Sequence, residues 1–159
     1  MNPEIKECSD RKVVGLSATM KQNEHHKIPE LWKRFMPRKK EIKNLVSEEL
    51  IALQIFPEGT KVEIIDEYYI WACVEVSNFE TIPKGLEVFT IPNGKYAVFL
   101  HKGMDASATY HKIMTEWLPT SDFKIDNRPH FQMMGRNYEN GSDDSEEEFY
   151  VPVKAELHI

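Results

Sequence analysis

Apolar and polar residues alternate most cleanly between Tyr68 and Val76. Successive side chains of an extended chain point to opposite faces, so Tyr68, Ile70, Ala72, Val74 and Val76 share one side and Tyr69, Trp71, Cys73 and Glu75 the other. The first side is uniformly apolar and suits packing under a helix. The second mixes rings with a carboxylate, as a ligand-facing surface would. Further strands are predicted over Ile5 to Met20, with Val13 and Val14 at its core, and over Leu50 to Phe56, which the turn Pro57-Glu58-Gly59 ends. Leu86 to Ile91 and Tyr96 to His101 flank the turn Pro92-Asn93-Gly94. His130 to Met134 and Glu148 to Lys154 follow, and Pro152 places the last strand near a sheet edge or a bulge.

Two segments carry the other period. Leu31, Trp32, Phe35, Met36, Ile42, Leu45 and Val46 recur at helical spacing. Pro29 suits the first turn, where its missing N–H is not needed, and Pro37 predicts a kink or break. Tyr110, Ile113, Met114, Trp117 and Leu118 mark a second helix, capped by Asp105 or Ser107 and ended by Pro119. Each half thus reads strand, helix, strand, strand. Local texture agrees: Arg11-Lys12-Val13-Val14-Gly15 parallels Gly94-Lys95-Tyr96-Ala97-Val98. The expectation is an α+β fold, a duplicated βαββ unit with pseudo-repeats at about 1–80 and 81–159 in one domain spanning 1–159. Two helices would cover one face of an antiparallel sheet and leave the opposite face free to form a groove.

Composition narrows the function. The chain has 159 residues, 41% hydrophobic and 29% charged, which is ordinary for a globular domain. A net charge of −6 opposes the basic face that duplex-DNA binding requires, and the run Arg38-Lys39-Lys40 reads as a solvated face. Cys8 and Cys73 read as free thiols in a reducing compartment. Met1 to Asp10 is polar and charged, unlike a secretory leader, and no apolar run approaches the ~20 residues of a membrane span. The expected location is the cytoplasm, without membrane contact.

No Gly-rich phosphate loop, nucleophile elbow or Cys-x-x-Cys pair is present, so no catalytic residue, metal site or cofactor is assigned. His25-His26 would chelate one ion poorly, because adjacent side chains on an extended chain diverge; an exposed loop is the better reading. His101 either lines a pocket or, as such residues more often do, hydrogen-bonds a neighbouring loop. The run Asp143 to Glu148 lacks the ligand pattern of a calcium loop and reads as solvated hairpin charge, with only the strand residue Glu148 set apart. The aromatic residues are more informative, since rings supply contact area and attract cations. Trp117 and Phe131 fall within apolar faces and read as core. Trp71 and Tyr150 read equally as core or as ligand surface; each shares its face with a carboxylate, Glu75 and Glu148 in turn, and in a concave site such pairs would favour a lipophilic cation.

At this point the chain resembles a known family. Ile91-Pro92-Asn93-Gly94-Lys95-Tyr96-Ala97-Val98-Phe99 with His101-Lys102-Gly103, Trp117-Leu118-Pro119, Arg128-Pro129-His130-Phe131 and Phe149-Tyr150-Val151-Pro152-Val153 are similar, in order, to the second half of GyrI-like domains. Ile28-Pro29-Glu30-Leu31-Trp32 resembles the family's first helix. The resemblance implies a central groove for aromatic, often cationic effectors, as in AraC-type and MerR-type regulators or stand-alone members. With the reading of the strand faces and aromatic residues, this gives Trp32, Tyr69, Trp71, Glu75, His101, Tyr110, Gln132, Glu148 and Tyr150 as ligand-binding candidates. Gln132 stands where family members often carry a Glu that meets the ligand's charge. A neutral amide cannot neutralise a cation, so Glu75 or Glu148 would have to compensate. The same exchange removes the obvious general base and counts against the alternative of a hydrolase of cyclopropane-bearing toxins. The third alternative is a gyrase-inhibitor-type interaction module. With no room before Ile5 for a helix-turn-helix, direct nucleic-acid contact is not expected, and an effect on transcription would need a protein partner.

Overall fold

Ser9 and Asp10 break the first apolar stretch, so the chain opens with two strands, β1 (Glu4–Cys8) and β2 (Arg11–Lys21), instead of the single strand expected. The break is tied down by Asp10 Oδ1, which accepts from the Asn93 N–H at 2.7 Å. The computed structural model describes residues 2–21, 23–57, 67–135, 138–139 and 142–156. Helix α1 (Lys27–Phe35) follows, with Pro29 in its first turn. It stops earlier than its apolar spacing suggests. Pro37 has no N–H to donate and its ring would crowd the preceding turn, so the chain tightens into a 3₁₀ segment over Met36–Glu41. Ile42 is extended and Leu45 bridges to Val76; both keep core positions without being helical.

Strands β3 (Leu50–Ile55), β4 (Glu67–Val76), β5 (Glu87–Ile91) and β6 (Gly94–Lys102) come next. Helix α2 (Ala106–Lys112) is capped by Asp105, whose side chain accepts from the Ala108 N–H at 3.0 Å. The helix widens into a π turn over Ile113–Trp117 before Pro119 closes it in a 3₁₀ turn. The short β7 (Phe123–Ile125), β8 (His130–Met134) and β9 (Glu146–Ala155) complete the order. Pro152 lies where β9 changes partner from β8 to β7, the irregular position that a strand proline suits.

All strand pairs are antiparallel, in the order β1-β6-β9-β8-β3-β4-β2-β5, with β7 paired to β9. The order reads the same from either end: β2, β4 and β3 of one half face β6, β9 and β8 of the other across the β3–β8 ladder. The fold is therefore the α+β duplicated βαββ unit that the sequence indicates.

Register fixes the faces. Leu16, Ala72, Ala52, Gln132, Phe149 and Phe99 form one row across six strands. On this side, Leu31 and Phe35 of α1 pack on Val14, Leu16, Ala72 and Val74. Ile113, Tyr110 and Trp117, from α2 and the turn after it, pack on Phe99, Phe149 and Val151. The helix-free side is not an open groove, contrary to expectation. It is a sealed core of Val13, Ile51, Leu53, Trp71, Cys73, Phe131 and Tyr150, among others. Arg11 of β2 lies 5.4 Å from the Tyr150 ring of β9, four strand spacings away. On a flat sheet that is about 19 Å, so the sheet curls to enclose this core.

Gly15 marks the tightest point of the β2–β4 ladder. A Cβ there would overlap the Ala72 carbonyl oxygen and lie 2.6 Å from the Cys73 Cβ. Gly15→Ala is expected to lower stability by about 3 kcal/mol, the range of overpacked cores. Urea unfolding checks this, and an unchanged midpoint contradicts it.

Candidate functional site

The row that ends under the two helices leaves its middle uncovered. Between α1 and α2 lies a cavity of about 2020 Å³, floored by β3 and β8 and lined by residues of both helices. Alternation decides what reaches it. Ile51 and Leu53 of β3 turn into the sealed core, so Leu50, Ala52 and Gln54 turn into the cavity. Phe131 and Met133 of β8 are core, and His130, Gln132 and Met134 face the cavity. Trp32 from α1 and Tyr110 from α2 stand on opposite walls, with Ile28, Met36, Met104 and Met114 adding apolar surface. The π turn lets the second helix serve two surfaces, since Met114, Thr115 and Leu118 line the cavity while Ile113 and Trp117 pack beneath it.

Three of the expected ligand residues, Trp32, Tyr110 and Gln132, are thereby brought together. The other six are elsewhere. Trp71 is 8% exposed in the sealed core, and Tyr69 lies on the outer surface of the same strand. Glu75 accepts from Arg11 Nη1 at 2.9 Å. Tyr150 stacks on Phe131 at 4.4 Å with its ring nearly parallel, and Arg11 lies 5.5 Å from Phe131. The ring-and-carboxylate face does hold a cation, but that cation is the protein's own Arg11. Glu148 belongs to this face too, by its pairing with Met133. His101 takes the loop role. It is buried, stacks on Phe149, and hydrogen-bonds Thr109 Oγ1 at 2.7 Å and the Gly103 carbonyl at 3.1 Å, anchoring the start of α2.

Neither Glu75 nor Glu148 therefore supplies the pocket acid. Glu147 does. It is 9% exposed and lines the cavity, and no hydrogen bond or ion pair reaches it among the described residues. Burial raises the pKa of its carboxyl, because the charged form loses its hydration there. His130 is the second missed residue. It is 3% exposed, with Nδ1 2.9 Å from the Tyr110 hydroxyl and its ring edge-on to Phe56 at 5.0 Å. Burial, with the charge of Arg128 adding to it, lowers its pKa to about 3. The imidazole is neutral and sets no positive charge against a cation. One signal could have found both: each shares strand parity with inward residues, Glu147 with Phe149 and Val151 and His130 with Gln132.

Arg128 frames this end of the floor. Its Nε donates to Asp126 at 2.7 Å, its Nη2 to the Lys95 carbonyl at 2.6 Å, and its Cζ lies 4.6 Å from the centre of the Tyr96 ring. Gly94 makes room for it: φ is +146° there, and a side chain would overlap the guanidinium. Among the described residues no His, Cys, Asp and Glu cluster is arranged to hold a metal, and no helix is long and apolar enough to cross a membrane.

Comparison with known proteins agrees with this architecture. BrlR, a transcriptional regulator of Pseudomonas aeruginosa, is 39% identical over 80 residues, 48% of this chain and 26% of BrlR, so the match spans about a quarter of that protein. The structure of SAV2435 bound to tetraphenylphosphonium matches with a TM-score of 0.68 at 21% identity, over 97% of this chain and 94% of the other. EcmrR, in its complex with DNA, matches with a TM-score of 0.68 at 15% identity; the match covers 97% of this chain and 57% of EcmrR. At these identities the two structures speak for the fold. Residues 4–153 match the model of the Cass2 family, integron-associated effector binding protein. That match spans nearly the whole chain, and the chain belongs to the Cass2 family.

Proposed function

We propose that the groove binds aromatic cations, with Glu147 as the counter-charge and Trp32 and Tyr110 as the walls, and that occupancy is passed to a protein partner acting on transcription. The observation that carries this is the Glu147 carboxyl: buried, without a partner among the described residues, and facing an apolar, ring-lined cavity. A buried carboxylate is costly alone and strongly favoured beside a cation, so the site is poised for a positively charged guest. Ring faces add attraction for the same charge. SAV2435 with tetraphenylphosphonium supports the ligand class, and the likeness to the regulators BrlR and EcmrR supports the downstream role.

Titration with tetraphenylphosphonium followed by calorimetry tests the wall assignment. Trp32→Ala is expected to weaken binding roughly tenfold, whereas Trp71→Phe leaves affinity unchanged because Trp71 lies beneath the other face. A loss confined to Trp71→Phe would overturn the placement of the site.

Protonation gives a second test. With its pKa raised, the Glu147 carboxyl keeps its proton to higher pH than an ordinary carboxylate. Cation affinity should climb as pH rises through that value and level off above it, with a proton released on binding in between. Glu147→Gln should give weaker binding and a flat profile. In the free protein the sign is opposite for stability. The contribution of Glu147 is fully present below its ordinary carboxylate pKa and is lost as pH rises through the raised folded value.

A further inference from the structure

A cation at Glu147 accounts for one end of the groove floor and leaves the polar groups at the other end without a role. His130 Nδ1 is occupied by Tyr110, but Nε2 has no hydrogen bond among the described residues. The side-chain amide of Gln54, opposite His130 in the β3–β8 ladder, has none either. Both side chains line the cavity, His130 buried and Gln54 half-buried, so each has a polar atom free to pair with a guest lying along the floor.

Register sets the spacing between the two ends. Met133 pairs with Glu148, so Met134 and Glu147 come abreast one step further along. His130 lies four residues from Met134 on the same strand. Four residues along a strand and one spacing across separate His130 from Glu147 by about 14 Å. Between them the floor presents Gln132 and Ala52. The cavity, about 2020 Å³, exceeds the ~300–1,000 Å³ usual for small-molecule sites. The cations near the His130 end are already engaged: Arg128 and Lys154 lie 2.7 and 3.7 Å from Asp126. Neither of these two cations is therefore free to meet an anionic guest, and His130 and Gln54 offer hydrogen bonds there.

We propose that the groove takes an elongated, bipolar ligand: an aromatic body with a cationic group at Glu147 and, about 14 Å away, an uncharged group that both donates and accepts hydrogen bonds at His130 and Gln54. A carboxamide or a hydroxyl has this chemistry. The inference rests on the cation reading above and adds the second end and the length.

Two linear triaryl amidines test it, one plain and one with a distal carboxamide about 14 Å from the amidine, alongside tetraphenylphosphonium. The carboxamide compound is expected to bind roughly tenfold tighter than the plain one. Gln54→Leu should abolish that gain and change the plain amidine's affinity far less, whereas His130→Phe, which also releases the Tyr110 hydroxyl, should abolish the gain and weaken both amidines; circular dichroism reports that the variants are folded. Glu147→Gln should weaken all three compounds. If all three bind through Glu147 but the carboxamide brings no gain, the bipolar inference falls and the cation reading stands. If none of the three binds, both fall.

Discussion

Five residue pairs, Leu50 with Met134 through Gln54 with His130, join the halves of the sheet at its centre. Everything else in the molecule is arranged around this ladder. On one side its residues complete the sealed core, with Ile51 and Leu53 against Phe131 and Met133. On the other side, neither helix covers it. Each helix is anchored over the outer strands of its own half, α1 on β2 and β4, and α2 on β6 and β9. The groove is thus the gap that two helix-covered lobes leave over their shared seam. It needs no special loop, only helices short enough not to cross the ladder. Pro37 and Pro119 see to that, since each ends its helix in a 3₁₀ turn.

The two faces meet positive charge in different ways. On the sealed face, Arg11 lies over Phe131 and Tyr150 with Glu75 at 2.9 Å, so rings and carboxylate are consumed internally. On the groove face, Trp32, Tyr110 and Glu147 offer the same chemistry, and among the described residues no cation is paired to Glu147. A ring-and-carboxylate surface has affinity for a cation wherever it occurs. What separates structure from function is whether the chain supplies the cation itself.

This explains why the fold was more legible in the sequence than the site. Strand and helix identity follow from periods that a single chain displays, and the β4 alternation placed Ile70, Ala72 and Val74 under a helix as the structure has them. The resemblance of Gly94-Lys95 and Arg128-Pro129 to known motifs also had physical content, because the Arg128 guanidinium occupies the space that Gly94 leaves. The site depended on facts that periodicity leaves open. Which face of the sheet stays uncovered is settled by curling, which brings Arg11 from β2 to rings on β8 and β9. The carboxylate of β9 that lines the cavity is one residue away from the one set apart in the sequence. Glu148 stood out as the strand's carboxylate, but a slip of one position in a strand exchanges the faces, and β9 begins earlier, at Glu146. Glu147, taken for hairpin charge, is the residue turned inward.

Duplication supplies the groove, and its divergence gives the groove a direction. The near-twofold relation that exchanges Ala52 with Gln132 also exchanges Leu50 with His130, Gln54 with Met134 and Ile70 with Glu147. In each pair one member is polar and the other apolar. A frame that would present the same floor from both ends therefore presents a carboxyl at one end and an imidazole with an amide at the other. Without that asymmetry a guest could lie either way round at equal free energy. With it, reversing a guest that has two different ends removes the cation from Glu147 and leaves a buried carboxyl without its counter-charge, the more expensive of the two mismatches. On the bipolar reading proposed above, orientation is thus set by the acid, and the length of guest by the distance to the far polar pair.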